Sequence, residues 1–134
     1  MKAVLDTRFF ICSLESKDEQ FKKWAKITLQ TLQTENSDGF VPSIVIHEFY
    51  KLQLEDLGKE VADLRTNAIL RLDLNMANLD LAIAIEAARL RCRYAELPTA
   101  DAIIAATAIK EGCEYVITDD KHIKQIKETK TKWL

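Results

Sequence analysis

The stretch from Pro98 to Asp120 constrains this chain more than any other. Pro98 has no backbone N–H to donate, so whatever precedes it ends there. Thr99 is placed to cap a new helix, which puts Asp101 in its first turn. The residues that follow are small and apolar on nearly every side, from Ala102 to Ile109. A helix of that kind is buried on most of its faces. Gly112 suits the left-handed position just past a helix end. Tyr115 to Thr118 then reads as a short buried strand running into Asp119 and Asp120. The unit is one helix and one strand with acids at both tips. An acid at a helix start has an ordinary explanation, since the dipole favours it by about 0.3–1 kcal/mol. Other acids in similar settings give it a second one.

Lys2 to Leu5 is a short apolar run ending at Asp6, expected to be the first strand. Phe9, Phe10, Ile11 and Leu14 predict a short helix after it. Ser16 and Glu19 fit a capping box for a helix that buries Phe21, Trp24, Ala25, Thr28 and Leu32. Asn36 to Gly39 reads as a turn and Phe40-Val41 as a second strand. The next helix opens at Pro42-Ser43, with Ser43 as cap, and ends at Gly58. Within it Glu48 shares a face with Ile44 and Leu52. A carboxylate there is either paired with something or reaches water from the edge of the buried stripe. Lys59 to Arg71 forms a helix with Val61, Leu64, Ala68 and Ile69 inward, and Arg71 to Leu74 alternates like a third strand. Asn78 is expected to cap a long helix reaching about Leu97, and Trp133-Leu134 to form a last strand.

Strands separated by helices or helix pairs are the signature of a parallel sheet covered on both faces. Such sheets bind ligands beyond the carboxyl ends of their strands. Asp6 and Asp119/Asp120 follow strand ends, and Glu48 and Asp101 lie early in helices that start at the same edge. Four carboxylates therefore converge on one rim. Like charges at close range repel, and a hard divalent cation relieves them. An oxygen-only ligand set suits Mg²⁺ or Mn²⁺ and leaves room for a phosphate.

The 134 residues are expected to form one domain, 1–134. A net charge of −2 argues against a generally basic, nucleic-acid-coating surface, though Lys121, Lys124, Lys127, Lys130 and Lys132 form a local basic run. Cys12, Cys92 and Cys113 are scattered and odd in number, as expected of reduced thiols in the cytoplasm. No leader or membrane-spanning run is visible, so a soluble protein with no membrane association is expected.

Val-Leu-Asp6-Thr7, His-Glu48-Phe, Leu-Pro-Thr-Ala-Asp101-Ala-Ile-Ile-Ala-Ala-Thr-Ala and Val-Ile-Thr118-Asp-Asp120 together resemble the PIN-domain nucleases. The resemblance spans nearly the whole chain and is nearest to the VapC-type toxins of toxin–antitoxin pairs. It implies a three-layer α/β/α sandwich on a parallel five-stranded sheet, and a Mg²⁺- or Mn²⁺-dependent endoribonuclease. It also implies a homodimer and an antitoxin that blocks the site. By motif match Asp6, Glu48, Asp101 and Asp120 take the acidic positions as catalytic residues and metal ligands, supported by Thr7, Thr118 and Asp119. Strand alternation favours Asp120 over Asp119 as the fourth acid, with Asp119 free to cap the following helix. Arg8 departs from the small or amide residue common at its position; it is read as binding phosphate or an antitoxin acid, or as pointing away. Lys121 and Lys124 are candidates to hold RNA phosphates. Some of Phe9, Phe10, Trp24, Phe49 and Tyr50 are expected to line an antitoxin groove. Alternative readings are a housekeeping RNA-processing nuclease of this fold, a receiver domain, and a non-catalytic metal- or RNA-binding module.

Overall fold

The computed structural model describes residues 1–134. Its elements are β1 (Lys2–Leu5), α1 (Thr7–Glu15), α2 (Glu19–Leu32), β2 (Asp38–Pro42), α3 (Ser43–Leu57) and α4 (Lys59–Leu70). They are followed by β3 (Asn75–Ala77), α5 (Leu81–Arg93), α6 (Thr99–Lys110), β4 (Tyr115–Ile117), α7 (Lys121–Lys124) and β5 (Thr131–Lys132). The five strands pair only in parallel, in the order β3-β2-β1-β4-β5. Helices on both faces make this the expected three-layer α/β/α sandwich. The order differs from the 2-1-3-4-5 of receiver domains, which removes that alternative.

β1 is central, and Ala3, Val4 and Leu5 are fully buried. One apolar core gathers β1, β2 and β4 with α1, α2 and α3 around Phe9, Phe49 and Leu32. A second lies between α5 and α6 and includes Ile83, Leu90, Leu97 and Ile126. α6 joins the two: Ile104 and Ala108 pack into the first, Ala102, Ile103, Ala105 and Ala106 into the second. Its uniformly apolar sequence is thus explained by burial on most sides. It ends in a Schellman motif, with Cys113 N–H donating to Ala108 O at 2.9 Å and Gly112 N–H to Ile109 O at 3.2 Å. Gly112 stands at φ 65°, where a Cβ is strained. No helix is long and apolar enough to cross a membrane.

Several local expectations shift. Asp18, not Ser16, caps α2, accepting from Gln20 N–H at 2.9 Å, because Ser16 is already the C-cap of α1. Ser43 and Thr99 are first helical residues; the caps of α3 and α6 are Pro42 and Pro98, which offer no side-chain acceptor. Asp80, not Asn78, caps α5, and that helix stops at Arg93. β2 begins at Asp38, inside the expected turn, because Asp38 to Phe40 find β1 as a partner. The third strand is Asn75–Ala77 rather than Arg71–Leu74, since Arg71 still closes α4. α4 turns Ala62, Thr66 and Ile69 inward and leaves Leu64 and Ala68 exposed. The last strand is Thr131–Lys132, and Leu134 is exposed. Trp133 does anchor the terminus, with its ring centroid 5.2–6.4 Å from those of Phe21, Trp24 and Phe9.

Candidate active site

β1 and β4 are neighbours, so the residues just beyond them stand side by side. Asp6 extends the β1–β4 ladder through its N–H to Ile117 O at 3.4 Å. Its Oδ1 then caps α1, accepting from Phe9 N–H at 2.9 Å. Asp6 is only 3% exposed. Burial pushes its carboxyl up from 3.8 to about 7, against hydrogen bonds from Thr118 and Phe9 that favour the charged form; Asp119 and Asp120 push it further up. Thr118 is fully buried at the end of β4, and its Oγ1 accepts from Asp120 N–H at 3.0 Å.

α3 and α6 carry the other two acids. Glu48 is half-buried and accepts from Thr7 Oγ1 at 2.7 Å, so the carboxylate placed among apolar residues is paired across 41 positions. Thr7, the first residue of α1, is itself buried. Asp101 is the third residue of α6. Burial raises its carboxyl from 3.8 to about 6, and the charges of Asp120 and Glu48 add to the rise while His122 opposes it. Asp101 thus feels the charges of both Asp120 and Glu48, and Asp120 in turn acts on Asp6. All four expected acids belong to one electrostatic neighbourhood.

The expectation that Asp119 caps the helix after β4 is reversed. Asp120 Oδ1 caps α7, accepting from His122 N–H at 2.7 Å, while Asp119 pairs with Arg8. That pairing is a fork, Nε to Oδ1 at 2.5 Å and Nη2 to Oδ2 at 3.0 Å. Arg8 therefore does not simply point away. Lys121 and Lys124 are exposed on α7, next to Asp120. A groove between α3 and the start of α6 is lined by Ile44, His47, Glu48, Lys51, Thr99 and Ala100, and so opens beside Glu48.

Of the five aromatic residues, Phe9, Phe10 and Phe49 are core, and Trp24 and Tyr50 are only partly buried. Trp24 packs against Trp133, and the Tyr50 hydroxyl donates to Asp63 at 2.6 Å. Phe10 forms the floor of an apolar groove among α1, α2 and α4, bounded by Leu14, Leu29, Ala68 and Leu72. Sequence reading missed His122 as a neighbour of Asp101 and Gln53 as a buried polar residue. Gln53 is fully buried and accepts from Arg65 Nη1 at 2.7 Å. Only its place four residues after the buried Phe49, on the inner face of α3, could have signalled it.

No three Asp, Glu, His or Cys side chains close into a ready cation cage. The donors still fit a hard divalent cation. They are oxygen only, and Glu48 and Asp120 each commit one oxygen to the protein and keep the other. Mg²⁺ takes one or two carboxylates directly and keeps several waters, so a compact cage is not required.

The structure is that of an α/β/α protein with an acid cluster at the carboxyl edge of a 3-2-1-4-5 parallel sheet, beside two proline-led helix starts. The chain belongs to the PIN domain family, whose model matches residues 3–129. Among curated proteins none matches by sequence. Solved structures do. VapBC2 from Rickettsia felis, bound to a DNA fragment from its promoter, is 19% identical with TM-score 0.82, covering 100% of this chain and 99% of that one. VapC20 from Mycobacterium tuberculosis, a toxin that cleaves the sarcin–ricin loop, is 17% identical with TM-score 0.73 over 92% and 93%. A toxin–antitoxin complex from Klebsiella pneumoniae is 25% identical with TM-score 0.71 over 95% and 94%.

Proposed function

We propose that this chain is a divalent-metal-dependent endoribonuclease, the toxin of a toxin–antitoxin pair, working as a homodimer. The observation that carries the reading is that Asp6, Glu48, Asp101 and Asp120 gather at the carboxyl edge of the sheet and none of them has a salt-bridge partner. Burial and the charges of Asp120 and Glu48 together hold the Asp101 carboxyl up at about 6. A protein tolerates such repulsion where a cation offsets it. Membership of the PIN family and likeness to toxin structures support the rest.

In this reading Asp6, Glu48, Asp101 and Asp120 hold Mg²⁺ or Mn²⁺. When bound, the ion supplies charge neutralisation at the scissile phosphate and acidification of an attacking water. The chain does the positioning. Thr7 fixes Glu48, Thr118 and the first turn of α1 fix Asp6, and the α7 cap fixes Asp120. α3 and α6 start at prolines with no side-chain cap, which leaves their first N–H groups free to favour an anion. Lys121 and Lys124 meet phosphates further along the strand. The antitoxin is assigned to the groove floored by Phe10.

Cleavage of a labelled RNA with Mg²⁺ or Mn²⁺, and again with EDTA, tests this. Cleavage is expected only with the metal and is expected to fall to background in Glu48→Gln and Asp101→Asn. Full cleavage in EDTA overturns the reading. A short gene just upstream whose product binds this chain and blocks cleavage is expected for a toxin and not for a housekeeping nuclease.

A further inference from the structure

Five acids stand at the rim, and only Asp119 has an ion-pair partner there. Asp6, Glu48, Asp101 and Asp120 take part in no salt bridge. An arginine has five N–H donors in one rigid plane, and Asp119 occupies two of them. The Arg8 side chain is 55% exposed and makes no hydrogen bond beyond the two to Asp119, so its other donors are free. Both ends of the pair are firmly based. Arg8 is the second residue of α1, directly after the buried Asp6 and Thr7, and Asp119 follows the fully buried Thr118. The two lie 111 positions apart in sequence, so the pair ties the start of α1 to the end of β4.

An exposed pair of this kind contributes little stability, about 0–1 kcal/mol. What it supplies is orientation. A cation held by Asp6, Glu48, Asp101 and Asp120 would offset their charge, but Asp119 lies outside that set and would still repel the neighbouring phosphate of a bound strand. Arg8 neutralises Asp119 and presents a fixed cationic edge beside it. We propose that Arg8, oriented by the Asp119 fork, is the binding subsite for the phosphate next to the cleaved bond. This subsite rests on the ribonuclease reading above. Lysine could supply the charge there but not the fork, because its ammonium is a mobile point donor.

The test is the binding of a short fluorescein-labelled single-stranded RNA, followed by anisotropy in EDTA over a salt series. Arg8→Ala is expected to weaken binding several-fold and to reduce the slope of log K against log salt by about 0.7, the value for one single-strand phosphate contact. Arg8→Lys is expected to keep the slope and still lose affinity. With Mg²⁺, Arg8→Ala should raise KM more than it lowers kcat. Melting temperatures close to wild type would show that both variants fold. Wild-type affinity and slope in Arg8→Ala overturn the subsite while leaving the ribonuclease reading intact. Arg8→Lys matching wild type in affinity overturns the oriented fork. Unchanged RNA affinity with weakened antitoxin binding reassigns Arg8 to the protein partner. Absence of RNA binding by the wild-type chain, in EDTA and with Mg²⁺ alike, brings down both readings.

Discussion

Asp6 shows how much a single residue's surroundings decide. Its ordinary carboxyl value of 3.8 becomes about 7, and that of Asp101 about 6, chiefly through burial. Well below the ordinary value of 3.8 both groups are neutral in the folded and the unfolded chain, so their contribution to stability is intact. As pH rises, the unfolded chain gives up these protons first and the folded chain only near 6 to 7. The folded state binds more protons in that window and loses stability through it, by an amount on the order of a few kcal/mol. The metal-free protein is therefore expected to melt lower at about pH 8 than at about pH 5 on account of these groups. Asp6→Asn should flatten that fall and raise the melting temperature at the higher pH, while removing the Mn²⁺ response. Melting curves in EDTA across that range check this; a wild-type curve without the fall defeats it. For the fourth acid, Asp120→Asn is expected to cut cleavage to near background and weaken Mn²⁺ binding. Asp119→Asn should retain activity within several-fold, as measured by cleavage rate and Mn²⁺ titration.

At the scale of elements, α6 is held between two cores and ended by one glycine. Gly112→Ala forces a Cβ into φ 65°, with no neighbouring atom in the way, so the cost is backbone strain alone. A loss of about 1 kcal/mol is expected in urea titration, with no change in Mn²⁺ affinity. The aromatic anchor just after β5 behaves differently. Trp133→Ala removes a ring packed on Phe9, Phe21 and Trp24 and is expected to cost about 2–4 kcal/mol. Because β5 pairs with β4, amide exchange should quicken first at Val116 and Thr118, whose N–H groups donate to Lys130 and Lys132.

For the whole molecule, cation binding and folding are linked. A divalent ion that binds the folded site alone raises stability by mass action, about 2.7 kcal/mol at a hundred times its Kd. Mn²⁺ is expected to raise the melting temperature of the wild type and to do so much less in Asp101→Asn. Equal shifts in both would place the ion elsewhere. Because the acids must lose protons to hold the ion, binding should release protons near neutral pH, measurable by calorimetry in buffers of different ionisation enthalpy.

The fold was legible because its signals are local. Apolar runs of strand length alternating with amphipathic helices fix a covered parallel sheet, and the acids after the first and fourth strands, like those early in the helices that start at the same edge, fall at its carboxyl edge. That placement made Asp6, Glu48, Asp101 and the Asp119/Asp120 pair candidates, and the motif resemblance with strand alternation chose Asp120. Helix starts were less legible, since Ser16, Ser43 and Thr99 have cap-like side chains and lost the role to Asp18 and two prolines. A cap depends on where the preceding element stops, and that is set by strand pairing with distant residues. The third strand moved to Asn75–Ala77 for the same reason, its only partner being β2. Pairing across the sheet alone decided that Thr7 would hold Glu48 and that Arg8 would hold Asp119. It also brought the charge of Asp120 to bear on Asp101. The sequence by itself determined which residues carry charge and which edge they reach. Only the tertiary structure decided which charges are neutralised and which stay uncompensated, because burial and Coulomb energy depend on distances between residues far apart in the chain.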